Sequence, residues 1–119
     1  MPEVIDLDHK FTLFSDYWHP RIIAALNDHH VKLARLHGEF VWHRHADEDE
    51  LFLVLKGSLA IRLRDQELRL SPGQMVVIPR GVEHMPVACE EVQVLLLEPA
   101  GTINTGDAAG ERTAQSEWI

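Results

Sequence analysis

The stretch from Trp42 to Gly57, WHRHADEDELFLVLKG, decides how the chain is read. His43 and His45 stand two residues apart, and in a β-strand residues at that spacing project from one face. Ala46-Asp47-Glu48-Asp49 reads as a hairpin loop, which would set Glu50 across from His45 within side-chain reach. The apolar run Leu51–Leu55 then carries the chain to Gly57. Two imidazoles and a carboxylate aimed at one point suit a first-row divalent metal ion. A lone His-x-His pair is common without a metal and an acidic loop is ordinarily solvated, so the rest of the chain must supply the context.

Outward from this stretch the texture is β. Arg21–Leu26 reads as a strand, Asn27-Asp28-His29-His30 as an exposed turn, and Val31–Leu36 as the next strand. Phe40–His45 is expected to be a strand ending in the histidine pair. Leu51–Lys56 follows, then Leu59–Arg64, where Leu59, Ile61 and Leu63 alternate with Ala60, Arg62 and Arg64. Leu68 and Leu70 alternate again, Met75–Ile78 is a short, wholly apolar strand, and Val92–Leu97 is the last clear one. Gly and Pro turns separate these short segments and no long helical period intervenes, which indicates an all-β sandwich or barrel over about residues 21–98. Before it, Leu7, Phe11, Phe14 and Trp18 recur at helical spacing ahead of Pro20. Residues 1–20 are therefore expected to be a short helix or irregular cover, its aromatics serving as packing. Residues 99–119, rich in small polar residues, are expected to be a coil around the body, with Trp118-Ile119 packed somewhere upon it.

The 119 residues suit a single domain, and 45% of them are apolar. Lysine and arginine, eleven together, are scattered, and the net charge is −8. Nucleic acid and anionic membranes are not expected partners. No apolar run is long enough for a transmembrane helix, the first ten residues lack the pattern of a secretory signal, and Cys89 is the only cysteine. A cytoplasmic location is expected. Cys89 is read as a small buried residue rather than a nucleophile. His9, His19, His29, His30 and His37 are read as surface residues.

A second stretch, Gly73-Gln-Met-Val-Val-Ile-Pro79-Arg-Gly81-Val-Glu-His84, has the form G-x5-P-x-G-x2-H. Gly73 makes a turn, Met75–Ile78 forms a strand, Pro79 and Gly81 bend it, and His84 falls just past the bend. Together the two stretches resemble the cupin family in its small single-domain form. The family's first motif, G-x5-H-x-H-x3,4-E-x6-G, is matched by His43, His45, Glu50 and Gly57, with Gly38 one residue too close. Its second, G-x5-P-x-G-x2-H-x3-N, is matched through His84, with Ala88 in place of the asparagine. The resemblance covers about residues 31–100. It implies a jelly-roll barrel, a double-stranded β-helix of roughly six to eight strands, with a divalent transition metal ion in one mouth held by His43, His45, Glu50 and His84. Iron, manganese, nickel, zinc and copper all fit such a donor set. Small cupins also commonly pair, and Leu51, Leu53 and Leu55 would present an apolar outer face, so a homodimer is expected.

Two-residue alternation carries the reading into the cavity. If Glu50 faces inward, so do Phe52 and Val54, and with His43 and His45 goes Val41. The wall is then apolar, with the ligands as its main polar groups and no His, Tyr or Lys at an inward strand position. Tyr17 or Glu48 would have to reach in from loops. That pattern favours a metalloenzyme in which the ion does the chemistry on a small organic substrate, oxygenase-like before isomerase or cyclase. A non-catalytic module holding a small ligand through the metal is the alternative.

Overall fold

The computed structural model describes residues 2–119. The all-β expectation holds. Among the described residues there are eight strands: β1 (Arg21–Leu26), β2 (His29–Glu39), β3 (Glu50–Lys56), β4 (Leu59–Leu63), β5 (Glu67–Leu70), β6 (Met75–Ile78), β7 (His84–Pro99) and β8 (Glu117–Trp118). One short helix, α1 (Leu7–Phe11), precedes them, its first turn capped by the Asp6 carboxylate, which accepts from the Asp8 and His9 amides.

β7 organises the sheet. Along one side it pairs antiparallel with β2. Along the other it pairs first with β4, Ala60 to Leu63 against Val87 to His84, and then with β3, Leu51 to Val54 against Leu97 to Val94. One strand thus serves both walls of the jelly roll. Register shifts in β2 between Leu36 and Gly38, and in β3 between Val54 and Lys56, lie where the walls diverge. Gly57 is required there. Its φ is +85°, and a Cβ would lie 2.7 Å from the Glu91 carbonyl oxygen.

The inner face carries Ala34, Leu36, Phe52, Val54, Leu59, Ile61, Ile78, Val92, Val94 and Leu96, all buried. Each large apolar side chain fully buried in this way contributes about 1.5–3 kcal/mol relative to exposure. A second apolar cluster lies outside the sheet. Phe11 and Phe14 cover Ile23 and Leu33, with Leu55, Leu95 and Val31 at its margin. The N-terminal aromatics at positions 11 and 14 are packing, as expected.

Several local expectations are corrected. Phe40–His45 is not a strand. β2 runs on to Glu39, and beyond it only His43 pairs, in an isolated bridge with His84. Ala46 to Asp49 does not close a hairpin, because β3 pairs with β6 and β7. His29 and His30 are not in the turn but open β2, with Asn27 at φ +53° making the turn alone with Asp28. The last strand, expected over Val92–Leu97, begins at His84 and runs to Pro99. Met75 and Val77 on β6 are exposed on their outer side, although the strand is wholly apolar. Cys89 is exposed, not buried. In the C-terminal segment, Ile119 reaches the outer cluster and Trp118 lies edge-on to His30 while staying largely exposed.

Candidate metal centre

Four side chains from three places in the fold converge inside the barrel: His43 and His45 from the irregular segment after β2, Glu50 from the start of β3, and His84 from the start of β7. All four are buried, and one potential ligand atom from each lies within 4.8 Å of every other. The Nε2 atoms of His45 and His84 are each 3.5 Å from Glu50 Oε1. The expected His43–His45–Glu50 convergence is present, but the backbone produces it differently. His43 and His84 exchange backbone hydrogen bonds of 3.0 and 2.9 Å, which join the two motif segments. Gly81 donates to the His45 carbonyl at 2.8 Å, and the Arg80 amide donates to Asp49 Oδ1 at 2.8 Å. The acidic loop is therefore tied to the bend of the second motif.

The donor set fits a metal ion. His43 Nδ1 and His84 Nδ1 each lie 2.9 Å from a carbonyl oxygen two residues earlier, Val41 and Val82 respectively. Donation of Nδ1–H to those carbonyls fixes the tautomer and leaves each Nε2 with a lone pair directed inward. His45 Nε2, His84 Nε2 and Glu50 Oε1 are buried and have no hydrogen-bond partner within the protein. Buried polar atoms in that state cost stability unless something binds them. Burial, then the neighbouring His84, pushes the His43 imidazole down to about 4, so it stays neutral and able to ligate in weak acid. Burial alone would raise Glu50, but its neighbours Glu98, His45 and His84 hold its carboxyl well below the usual range, in the ionised form a ligand needs.

Beside this group opens a small cavity of about 40 Å³. Its walls are Trp18, Ala34, Leu36, Phe40, Phe52, Val94 and Leu96, and His43, Glu50, Glu98 and Asn104 supply its polar atoms. The apolar wall was expected, and Phe52 and Val54 do face inward with Glu50. Trp18 was not expected here. It stacks on Phe40 at 4.6 Å between ring centroids, with its indole N–H on the His37 carbonyl and its backbone at φ +60°.

One expectation about this interior is overturned. Lys32 lies at an inward position of β2 and is buried, its ammonium 2.9 Å from Oε1 of buried Glu98 on β7. Glu98 stands beside Glu50, because Leu97 of β7 faces Leu51 of β3, and both carboxyls line the cavity. Burial, and then the Glu50 charge, raises the Glu98 carboxyl well above the usual range, with Lys32 opposing. Alternation had placed Lys32 outside because Val31 and Leu33 are apolar too. They are covered from outside by Phe11 and Phe14, so β2 is apolar on both faces and alternation alone does not orient it. Tyr17 and Glu48 do not reach in. Tyr17 is at the surface, donating to Glu91 at 3.0 Å, and Glu48 is half-buried in a separate pocket lined also by Arg44, His45 and Asp107. Ala88, at the position of the missing asparagine, is wholly buried in the apolar core.

The C-terminal segment also braces the site, which nothing in the motifs indicated. Asp107 Oδ1 accepts from the Arg44 amide at 2.9 Å, and the Asp107 amide donates to the Arg44 carbonyl at 3.1 Å. Gly106 packs so closely that an added Cβ would overlap the Arg44 carbonyl oxygen and come within 3.2 Å of His45 Nδ1.

Comparison with known proteins agrees with this architecture. The family description "Cupin domain" matches residues 30–98, and the chain belongs to that family. A solved cupin-2 domain containing protein from Shewanella frigidimarina is 52% identical, with a TM-score of 0.80 over 81% of this chain and 94% of that one. A solved protein from Neisseria meningitidis is 27% identical, with a TM-score of 0.76 over 82% of this chain and all of that one. The uncharacterized protein YdbB of Bacillus subtilis is 46% identical over 63 residues, 52% of this chain, and the match spans about half (56%) of that protein's length.

Proposed function

We propose that this cupin is a metal-dependent enzyme acting on a small, partly apolar molecule that carries an oxygen donor, with oxidation favoured over isomerisation. The observation that carries the reading is the set of inward, unpartnered ligand atoms of His45, Glu50 and His84 beside His43, opening onto an apolar cavity. His43, His45, Glu50 and His84 would hold one divalent transition metal ion. Bound there, such an ion supplies Lewis acidity and, if redox-active, electron transfer. The chain's own part is to hold the substrate and keep the site dry. Trp18 and Phe40 offer a stacked aromatic surface for an apolar body, and Phe52, Val94 and Leu96 exclude water from the ligand group.

Glu98 supports a second reading, a metal-dependent isomerase or cyclase, because it returns an acid to a cavity otherwise lined by apolar side chains. Lys32 engages it at 2.9 Å, so proton transfer to a substrate would disturb that buried pair, and the first reading is kept. A non-catalytic binding module would share the metal and the cavity but show no turnover. Protein purified without chelator should contain a stoichiometric first-row metal. A substrate screen with Fe(II)-loaded protein, following oxygen uptake and product mass, should find turnover that disappears on metal removal. Turnover that persists after complete metal removal would falsify the proposal.

Two further parts of the proposal concern setting. A homodimer is supported by the outer side of β6, where Met75 and Val77 are exposed on an edge strand that the N-terminal cover does not reach. A cytoplasmic location is supported by the lone exposed Cys89, which has no partner in the chain. No helix among the described residues is long and apolar enough to cross a membrane.

A further inference from the structure

We infer that Trp18 is the specificity-determining residue of the metal centre, limiting the molecule that fits beside His43 and Glu50 to a few non-hydrogen atoms. The inference rests on the metal-binding reading above and narrows its substrate class. The cavity beside the ligand group holds about 40 Å³. That is room for a few waters, whereas sites for drug-sized ligands span roughly 300–1,000 Å³. Much of its wall is fixed by the sheet. Ala34, Leu36, Phe52, Val94 and Leu96 stand on β2, β3 and β7, and each of those strands is paired on both sides. Trp18, Pro20, Phe40 and Asn104 close the cavity from segments outside the strands, and Trp18 is the largest of them.

The backbone is strained to put the indole there. Trp18 has φ +60°, a left-handed conformation that bulky residues rarely adopt and that persists only where the surroundings hold it. Three hydrogen bonds do so. The Trp18 amide donates to the Arg35 carbonyl at 2.9 Å, its carbonyl accepts from Asn104 Nδ2 at 3.2 Å, and the indole N–H donates to the His37 carbonyl at 2.9 Å. The ring then lies on Phe40, with centroids 4.6 Å apart and planes 17° from parallel, and Phe40 meets the His43 imidazole edge-on at 5.3 Å. The indole is thus a rigid wall, one ring away from a ligand histidine. Filling space in a core needs no such placement: Phe52 and Val94, which line the same cavity, stand on regular strand backbone. Strain kept for one large ring beside the ligand group is accounted for by control over what shares that space.

The test uses Co(II)-loaded protein and two probes that bind the ion through nitrogen, azide and 4-phenylimidazole, with binding read from the visible absorption bands. Azide is slender, and 4-phenylimidazole carries a bulky apolar ring. The parent should bind azide and bind 4-phenylimidazole only weakly. Trp18→Ala should bind 4-phenylimidazole at least about tenfold more tightly than the parent, its phenyl ring entering the apolar space left by the indole, while azide affinity stays within about threefold. Trp18→Phe keeps a ring against Phe40 and should gain at least about threefold for 4-phenylimidazole; it decides by the same comparison if Trp18→Ala does not fold. A merely structural indole would give a lowered melting temperature with an unchanged preference between the two probes, and that result overturns the inference. A parent that takes 4-phenylimidazole as readily as the variants do, or whose bands azide leaves unchanged, overturns this inference alone. A parent that binds no Co(II) overturns the metal reading and this inference with it.

Discussion

His43 and His84 face each other across an isolated antiparallel bridge, and their imidazole centroids are 4.2 Å apart. The bridge brings two segments far apart in sequence into backbone register, so each His-bearing turn sets the position of the other. A ligand substitution can therefore be interpreted as a loss of donor only where the backbone pairing persists. Those hydrogen bonds use main-chain atoms alone and survive a side-chain change.

His84→Ala should keep its β-rich circular dichroism and lose bound metal. The loss should exceed the roughly 10–100-fold cost of changing a residue that merely supports a ligand. Metal content by atomic emission, with the parent as control, checks this; unchanged content would remove His84 from the site.

Metal-free protein should become less stable as the pH falls from about 6.5 to about 4. His43 has its ordinary imidazole value when unfolded and about 4 when folded, so in that window the unfolded chain binds the extra proton and stability rises with pH. Below about 4 both states are protonated and this contribution no longer changes. Thermal melts of chelator-treated protein at stepped pH should therefore show a smaller acid-side drop in His43→Gln than in the parent. Equal slopes would mean that His43 is not held neutral by the fold.

Gly106→Ala should disturb the metal centre without touching any proposed ligand. Residue 106 has φ +53°, and the added methyl would run into the Arg44 carbonyl. The strain should cost about 1–3 kcal/mol in stability and displace the His43–His45 segment. Asp107→Ala, which removes one hydrogen bond to the Arg44 amide, should cost about 0.5–1.5 kcal/mol. Chemical denaturation together with Co(II) affinity checks both; a Gly106→Ala protein of parental stability and affinity would show that the C-terminal segment is not a brace.

The proposed homodimer should separate when Val77 is changed to Glu. Val77 is 47% exposed on the outer side of β6, next to Leu51 of β3, and a buried unpaired carboxylate there would oppose association. Light scattering at micromolar concentration should give twice the chain mass for the parent and one chain mass for the variant. A monomeric parent would mean that the exposed outer side of β6 is tolerated in water without a partner.

Much of the protein was legible in the order of its residues. The spacing of His43, His45, Glu50 and Gly57, and of Gly73, Pro79, Gly81 and His84, is a local property of the chain, and it carried both the fold and the candidate ligand set. Strand positions followed from two-residue alternation wherever one face is polar, as in Leu59–Leu63. Tertiary structure alone decided the rest. β2 is apolar on both faces, because α1 covers one and the barrel core the other, so only the pairing with β7 determines that Lys32 points inward. Glu98 meets Lys32 and Glu50 through strand neighbours distant in sequence, and Gly106 and Asp107 reach Arg44 from a coil with no periodicity to read. Local spacing determines which side chains can share a face. Which face is the interior, and what else is buried there, depends on the strands and loops that close over it.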